Sequence, residues 1–472
     1  MGVRHHHRHD HHGPADRSDL TVTESDRTIR LGAGSGFSGD RIDPAEKLAR
    51  RGDLDYLIFE CLGERTVAAG NARRLLDEDK GYDPLLGARI EAVLPHTLRR
   101  GTRIVTNGGA AHPLAAARMI ANIAARVVDA PVRIAAVTGD DVLDAVRSAD
   151  PIVWETGKPL SAHTEHLVSA NAYIGADAVI PALEQRADIV VTGRLADPSL
   201  YVAPLAYEYG WDLGDAATIG AATAVGHLLE CAGQLTGGYY ADPVTKPVPG
   251  LADLGFPFAD VADDGTAVFG KLDASGGILT TRTCTEQLLY EVGDPTAYQT
   301  PDVTADFGRV RFDQVGPDRV AVTGATGTTR PDDLKVTLGF RGGWIGEGQI
   351  SYAGPRAFDR ARLAADIVAA RLATVHGLDP DGFTCEFIGA GASFRGLDTD
   401  PSAAEVRLRM TARTDSPDSA DLVGWEVESL YTNGPAGGGG ARRSVSEVLS
   451  IRSASIPRAL VHTDVHMMET NS

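Results

Sequence analysis

The chain is 472 residues long, 43% hydrophobic and 23% charged, with a formal net charge of −19. That length buries a large core without disulfide or metal staples, and the acidic balance excludes a nucleic-acid backbone or an anionic membrane surface as an expected partner. Cys61, Cys231, Cys284 and Cys385 are widely spaced with no CxxC pair, and no stretch approaches the roughly 20 apolar residues of a spanning helix. These features, with a composition of high-GC bacterial type, point to a cytoplasmic protein whose cysteines are buried thiols.

Residues 1–27 open with MGVRHHHRHDHHGPADRSD, which has no apolar h-region and interrupts its histidines with Arg and Asp. The segment reads as a disordered tail in preference to a signal peptide or a metal site. From Thr28 a strand–helix alternation begins. TIRL is a short β-run ending at Gly32, and DPAEKLARRG is a helix with Asp43 as N-cap, Pro44 at the first position and Gly52 as the stop. LDYLIFE, TRIVTN, VRIAAV and DIVVTG are apolar, β-branched runs, each opening into a polar or glycine turn. PLAAARMIANIAARVV and ALEQRA between them have helical spacing. Strands alternating with helices predict an α/β fold, with an open parallel, Rossmann-like sheet and helices on both faces, over 28–295. Right-handed crossovers bring the strand-end loops to one edge.

TIGAATAVGHLLECAGQL and TCTEQLLYEVGDP add helices before the texture changes near residue 295. VRFDQVGPDRVAVTGA, DLKVTLGFRGGWIGEGQISYAG and AEVRLRMTARTD read as twisted, partly exposed strands around the helix RAFDRARLAADIVAARLATVHG. This predicts a C-terminal α+β domain over 296–460, followed by a fraying tail at 461–472 in which His462 and His466 receive no role.

Five places carry chemistry. In Gly32-Ala-Gly34-Ser-Gly36-Phe-Ser-Gly39-Asp40, glycines directly after a strand would aim backbone N–H groups at an anion. Gly34, Gly36 and Gly39 spell GxGxxG, with Glu60 about twenty residues on, so a nicotinamide oxidoreductase is one alternative. The helix signal at Asp43-Pro44 comes too late for that fingerprint. Glu60 and Glu64, beside Arg65, form either an acid/base pair or a helix-start salt bridge. Asn107, in the Asn107-Gly108-Gly109 turn, and Arg194, in Gly193-Arg194-Leu-Ala-Asp197-Pro, stand where open α/β sheets bind ligands. Asn107 would stabilise an oxyanion and Arg194 would clamp a carboxylate or phosphate, unless Arg194 and Asp197 only fix their own turn. His227, Glu230, Cys231 and Gln234 share a helix face, read as a hydrogen-bonded junction since an HxxE lacks the further ligands a metal site needs. Finally, Gly434, Gly437, Gly438, Gly439 and Gly440 lie between the strand-like segments Val427–Tyr431 and Val445–Ile451. They suggest a phosphate cradle or a mobile lid, with a plain linker as the other reading. Walker A, HExxH and a GxSxG elbow in strand–turn–helix context are absent.

The runs GAGSGFSGDRIDP, LDYLIFECLGERT, GYDPLL, IVTNGGAAHPLAAA, VTGRLADPSL, HLLECAGQLTGGYYADP, EQLLYEVGDPTAYQTPDV and YTNGPAGGGG together resemble the acyclic terpene utilisation AtuA family over about residues 28–460. The resemblance implies a place in degradation of citronellol- and geraniol-type terpenes through CoA thioesters, with cleavage of a branched 3-hydroxyglutaryl-CoA and loss of acetate as the proposed role. Some members of that family carry an added small C-terminal domain and others have it as a separate neighbouring protein; with the chain ending at Ser472, a separate small AtuA-like protein is one partner the resemblance allows. Hydroxymethylglutaryl-CoA lyases hold a divalent metal on a His-x-His pair that has no counterpart in the strand–loop region here, so the chemistry would be organised differently.

The expected function is therefore a lyase or hydratase acting on a branched 3-hydroxyacyl-CoA or related carboxylated acyl substrate. The alternatives are a non-catalytic acyl-binding or assembly subunit and the NAD(P) oxidoreductase. Asp40, Glu60 or Glu64 is the expected base, with Asn107, Arg194 and Asp197 completing the catalytic set. The glycines at 32–39 and 434–440 would hold the CoA moiety of the substrate. An acidic cleft leaves a divalent metal open as a further cofactor, and a homo-oligomer is the expected assembly.

Overall fold

The computed structural model describes residues 27–394 and 397–470; the His-rich segment lies outside the described residues. The expected alternation is present: β1 (Ile29–Gly36), α1 (Asp43–Arg51), β2 (Tyr56–Glu60), α2 (Glu64–Leu76), α3 (Leu86–Arg100), β3 (Arg103–Thr106), α4 (Pro113–Val127) and β4 (Arg133–Thr138). β1, β2 and β3 are parallel neighbours, and the parallel strand Ile189–Thr192 inserts between β3 and β4. Every residue of β2 is buried, as expected of a central strand covered on both faces. α1, α3 and α4 pack side by side, while the helices Ser199–Tyr209 and Ala216–Glu230 pack together against β1. Chain reversal at β4, to place Ile189–Thr192 back beside β3, puts the two helical layers on opposite faces.

β1 runs four residues further than expected. Gly32, Gly34 and Gly36 lie inside the strand: Gly32 pairs with Leu57 and Gly36 with Glu60 of β2, and Gly34 sits at the register shift between Ala33 and Ser35. The reason is close packing. A Cβ on Gly34 would stand 2.6 Å from the Phe59 ring, and one on Gly36 would stand 2.5 Å from the Cys231 backbone. The glycines therefore admit neighbours to the strand, and Gly39 alone of the set sits in the following turn. The first helix begins at Asp43 with Ile42, not Asp43, in the cap position.

Sheet growth beyond the parallel core crosses the expected domain boundary. Pro257–Val261 adds antiparallel to β1, followed by Ala267–Lys271 and the hairpin Arg319–Thr323 with Arg311–Gly316, completing a ten-stranded sheet. Strands past 295 thus belong to the first sheet. The predicted tail is also a strand: Asp464–Glu469 pairs with the whole of β4, with His466 Nε2 3.1 Å from Thr138 Oγ1. It covers an edge that would otherwise expose unpaired backbone.

The second sheet is built on the long antiparallel pair Asp333–Ala353 with Gly439–Pro457. Leu167–Ala172 borders its first half, and Glu405–Thr414 and Phe383–Ile388 border its second. Helices Ala357–Thr374 and Pro417–Asn433 cover the second half around Ile350, Tyr352, Val406, Leu408, Val423 and Val427. Val427–Tyr431, expected as a strand, is therefore helical. Ser416 caps that helix through Ser419 N–H (3.2 Å), and Ala420, Val423, Val427 and Leu430 bury one face. Helical spacing prevailed over the β-propensity of Trp, Val and Tyr.

Candidate functional site

A cavity of about 1470 Å³ opens at the carboxyl ends of β1, β2 and Ile189–Thr192, where open α/β sheets hold their ligands. Gly36, Glu60 and Arg194 stand at those three strand ends. Lys335 and Ser455 of the long antiparallel pair line the cavity with them, as do Tyr173, His227 and Glu230, and residues from the segments 237–256 and 290–301 contribute further wall.

Glu60 ends β2 almost wholly buried. Its Oε1 accepts from Leu62 N–H at 2.5 Å and from Asn107 Nδ2 at 3.1 Å. Asn107 accepts from Cys61 N–H at 2.8 Å through its own oxygen. The Asn107 amide is thereby committed on both sides. It orients Glu60 and does not face the cavity as an oxyanion donor. Burial, reinforced by the charge of Asp197, pushes the Glu60 carboxyl well above the usual range. Asp40 lines the same cavity, accepting from Gly36 N–H (2.9 Å) and Arg41 N–H (2.8 Å), and Gly36 is the register partner of Glu60. Burial raises Asp40 as well, against those two hydrogen bonds.

Glu64 does something different. It opens α2 and accepts from Lys335 Nζ (2.9 Å) and the Tyr173 hydroxyl (3.0 Å). Burial works to raise its pKa, but Lys335 and Tyr173 outweigh it and hold Glu64 down to about 2. The salt bridge is real, though its partner comes from the second sheet and is not Arg65.

Arg194 is completely buried. Nη1 donates to the Leu62 carbonyl (2.5 Å), and Nη2 donates to the Leu195 carbonyl (2.8 Å) and to Asp197. Its plane lies 4.4 Å over the Tyr173 ring, whose centroid is also 4.8 Å from Lys335 Nζ. These contacts make Arg194–Asp197 an internal pair that pins the turn to Leu62, not an open clamp.

On the facing wall, His227 Nδ1 meets Glu230 Oε1 at 2.8 Å and Nε2 meets the Leu288 carbonyl at 3.1 Å. A carbonyl only accepts, so Nε2 carries hydrogen and one proton is shared between Nδ1 and the carboxyl. Burial pushes Glu230 up to about 7 against the pull of His227, and its Oε2 has no partner. Phe307 stacks on the imidazole at 5.7 Å. At the mouth, Tyr239 holds a left-handed φ of 61° and is exposed, its ring 6.0 Å from Tyr290.

Of the expected residues, Gly36, Asp40, Glu60, Glu64, Arg194 and Asp197 line one cavity, with Asn107 directly behind Glu60. Gly32 and Gly34 lie inside the sheet. Gly434, Gly437, Gly438, Gly439 and Gly440 do not line the cavity; they turn the chain from the helix ending at Asn433 into the strand starting at Gly439, beside Arg360 and Arg407. Tyr173 and Lys335, which complete the Glu64 and Arg194 arrangement, were missed. Neither sits in a motif, and only the pairing of Leu167–Ala172 with Asp333–Ala353 brings them together. Among the described residues, no group of three or more His, Cys, Asp or Glu is placed to hold a metal ion, and no helix is long and apolar enough to cross a membrane.

The buried acids set a pH dependence. Burial pushes Asp140 and Asp302 up to about 6. With Glu230 at about 7, these groups keep protons in the fold that the unfolded chain releases near its ordinary carboxyl value of about 4. Their stabilisation is present below that value and is lost as pH rises through about 6 to 7; Glu64 acts oppositely, losing its share as pH falls toward about 2. The melting temperature is expected to fall between about pH 4 and pH 7, and Asp302→Asn to flatten that slope. A melting temperature that climbs across this window would contradict the assignment.

A family model described as acyclic terpene utilisation family protein AtuA matches residues 29–467. No curated protein matches. A solved hydantoinase/carbamoylase family amidase from Burkholderia ambifaria is 15% identical over 25% of this chain and 30% of that one, with a TM-score of 0.16, a likeness too slight to bear on fold or activity.

Proposed function

Because the chain belongs to the acyclic terpene utilisation AtuA family, we propose that it is a lyase or hydratase acting on a branched 3-hydroxyacyl thioester or related acyl substrate in terpene or branched-acid catabolism. The observation that carries this reading is Glu60. It is a buried carboxyl at a strand end, held by Leu62 and Asn107 through one oxygen and pushed well above the usual carboxylate range by burial and the charge of Asp197.

A carboxyl raised above its ordinary range in this way suits proton delivery to a leaving hydroxyl. In the elimination direction, a base removes the proton α to the thioester carbonyl, the β C–O bond breaks, and Glu60 gives its proton so that the hydroxyl departs as water. Asp40, one backbone link away through Gly36, is the base in this scheme. It then returns the α-proton to Glu60 by way of solvent, and water addition is the same path reversed. For carbon–carbon cleavage the roles exchange: Asp40 takes the proton of the 3-hydroxyl, the Cα–Cβ bond breaks, and Glu60 protonates the departing enolate carbon. Asn107 positions Glu60, and Arg194 with Asp197 fixes the Leu62 turn that donates to it. Glu64, held down by Lys335, is structural.

Thermal-shift measurements with CoA, a branched 3-hydroxyacyl-CoA, NAD⁺ and NADP⁺ at matched concentrations test the reading, since a ligand bound only by the native state raises the melting temperature. Stabilisation by the acyl thioester above CoA is the expected result. Stabilisation by the dinucleotides alone would overturn it.

A further inference from the structure

The positive charges in the cavity wall are all engaged by the protein itself. Among the described lining residues, the cationic side chains are Arg41, Arg194 and Lys335, with His227 beside them. Both Nη atoms of Arg194 are taken by two carbonyls and Asp197, and its unpartnered Nε is buried out of reach of the cavity. Lys335 is neutralised by Glu64 at 2.9 Å, and His227 lies between Glu230 and the Leu288 carbonyl. Arg41, exposed at the mouth, donates through Nη1 to the Leu251 carbonyl at 2.9 Å. No buried cation is left for a ligand anion.

Around this interior the remaining charge is negative or masked. Burial raises Glu60 and Glu230 in the wall, Glu230 sharing one proton with His227, while Glu291, Asp332 and Asp333 are exposed along the lining. An ionised carboxylate or phosphate moving inward would lose its hydration and meet no compensating charge. An uncharged hydroxyl would instead find carboxyl oxygens to accept its hydrogen without bringing a further charge into the wall. Apolar surface waits at the entrance, where Phe37, Trp154 and Tyr239 are 58%, 54% and 86% exposed, an arrangement that favours a hydrocarbon chain over a hydrated ion.

We propose that this cavity takes the uncharged, branched, hydroxyl-bearing end of its ligand and rejects an ionised carboxylate there, leaving any charged carrier group outside the mouth near Arg41. The selection rests on the reading of the site given above, and names which part of the substrate enters.

The test compares three probes on the purified full chain at neutral pH: a branched 3-hydroxy acid of acyclic monoterpenoid skeleton, its methyl ester, and its N-acetylcysteamine thioester. Isothermal titration is expected to give the ester and thioester a Kd at least about tenfold lower than the free acid, a gap of about 1.4 kcal/mol. Glu64→Gln unmasks Lys335 and is expected to bring the acid to within a few-fold of the ester. An acid that binds the wild-type chain as tightly as its ester would overturn the charge selection alone, leaving the lyase or hydratase reading in place. Failure of ester, thioester and acid alike would remove that reading and the selection with it.

Discussion

Arg194→Met is expected to destabilise the protein by about 2–4 kcal/mol, because a wholly buried guanidinium leaves two carbonyls without their donor and a partly exposed Asp197 without its cation. The side chain is completely buried, and its loss strands the Leu62 and Leu195 carbonyls together with Asp197. It also removes the cation 4.4 Å above the Tyr173 ring. Arg194→Lys should recover little, because one ammonium cannot reach two carbonyls and a carboxylate from the geometry of a guanidinium fork. Denaturant unfolding monitored by circular dichroism measures the change. A variant that keeps wild-type stability while losing ligand affinity would return Arg194 to the role of substrate clamp.

Strand ends were legible in the sequence because buried parallel strands are short apolar runs, and LDYLIFE, TRIVTN, VRIAAV and DIVVTG all announce themselves by ending in polar or glycine turns. That was enough to place Glu60, Asn107 and Arg194 at one edge of one sheet. What each does there was not legible. Asn107 reads alone as an oxyanion donor, yet its amide is engaged through the oxygen by Cys61 and through the nitrogen by Glu60, a fact that exists only once β2 and β3 are aligned. The glycines of β1 signal backbone proximity correctly, but the neighbour is Phe59 and the Cys231 backbone, not an anion. Sequence cannot tell those two apart, since both require the same missing Cβ.

The second half was harder for a different reason. The strand Asp464–Glu469 returns more than three hundred residues to pair with β4, and Lys335 reaches Glu64 across 271 positions. Local pattern carries no information on such distances. His227 and Glu230 were visible as a shared helix face, but the closure of Nε2 by Leu288, which fixes one proton between them, comes from the helix Thr281–Leu289 packing alongside.

The most direct measurement of the account is the turnover of a branched 3-hydroxyacyl thioester by the wild-type chain and by Glu60→Gln, with products followed by mass spectrometry. Glutamine keeps an oxygen for Leu62 N–H and Asn107 Nδ2, so the fold and the binding of substrate are expected to survive. What the variant lacks is a transferable proton, and general acid–base catalysis is worth roughly 10²–10⁴ in rate. The predicted result is a fall of that order in kcat with little change in KM and an unchanged melting temperature. A Glu60→Gln chain that turns over as fast as the wild type, or a wild-type chain that leaves the thioester untouched, would contradict the assignment of Glu60 as the proton donor of this site.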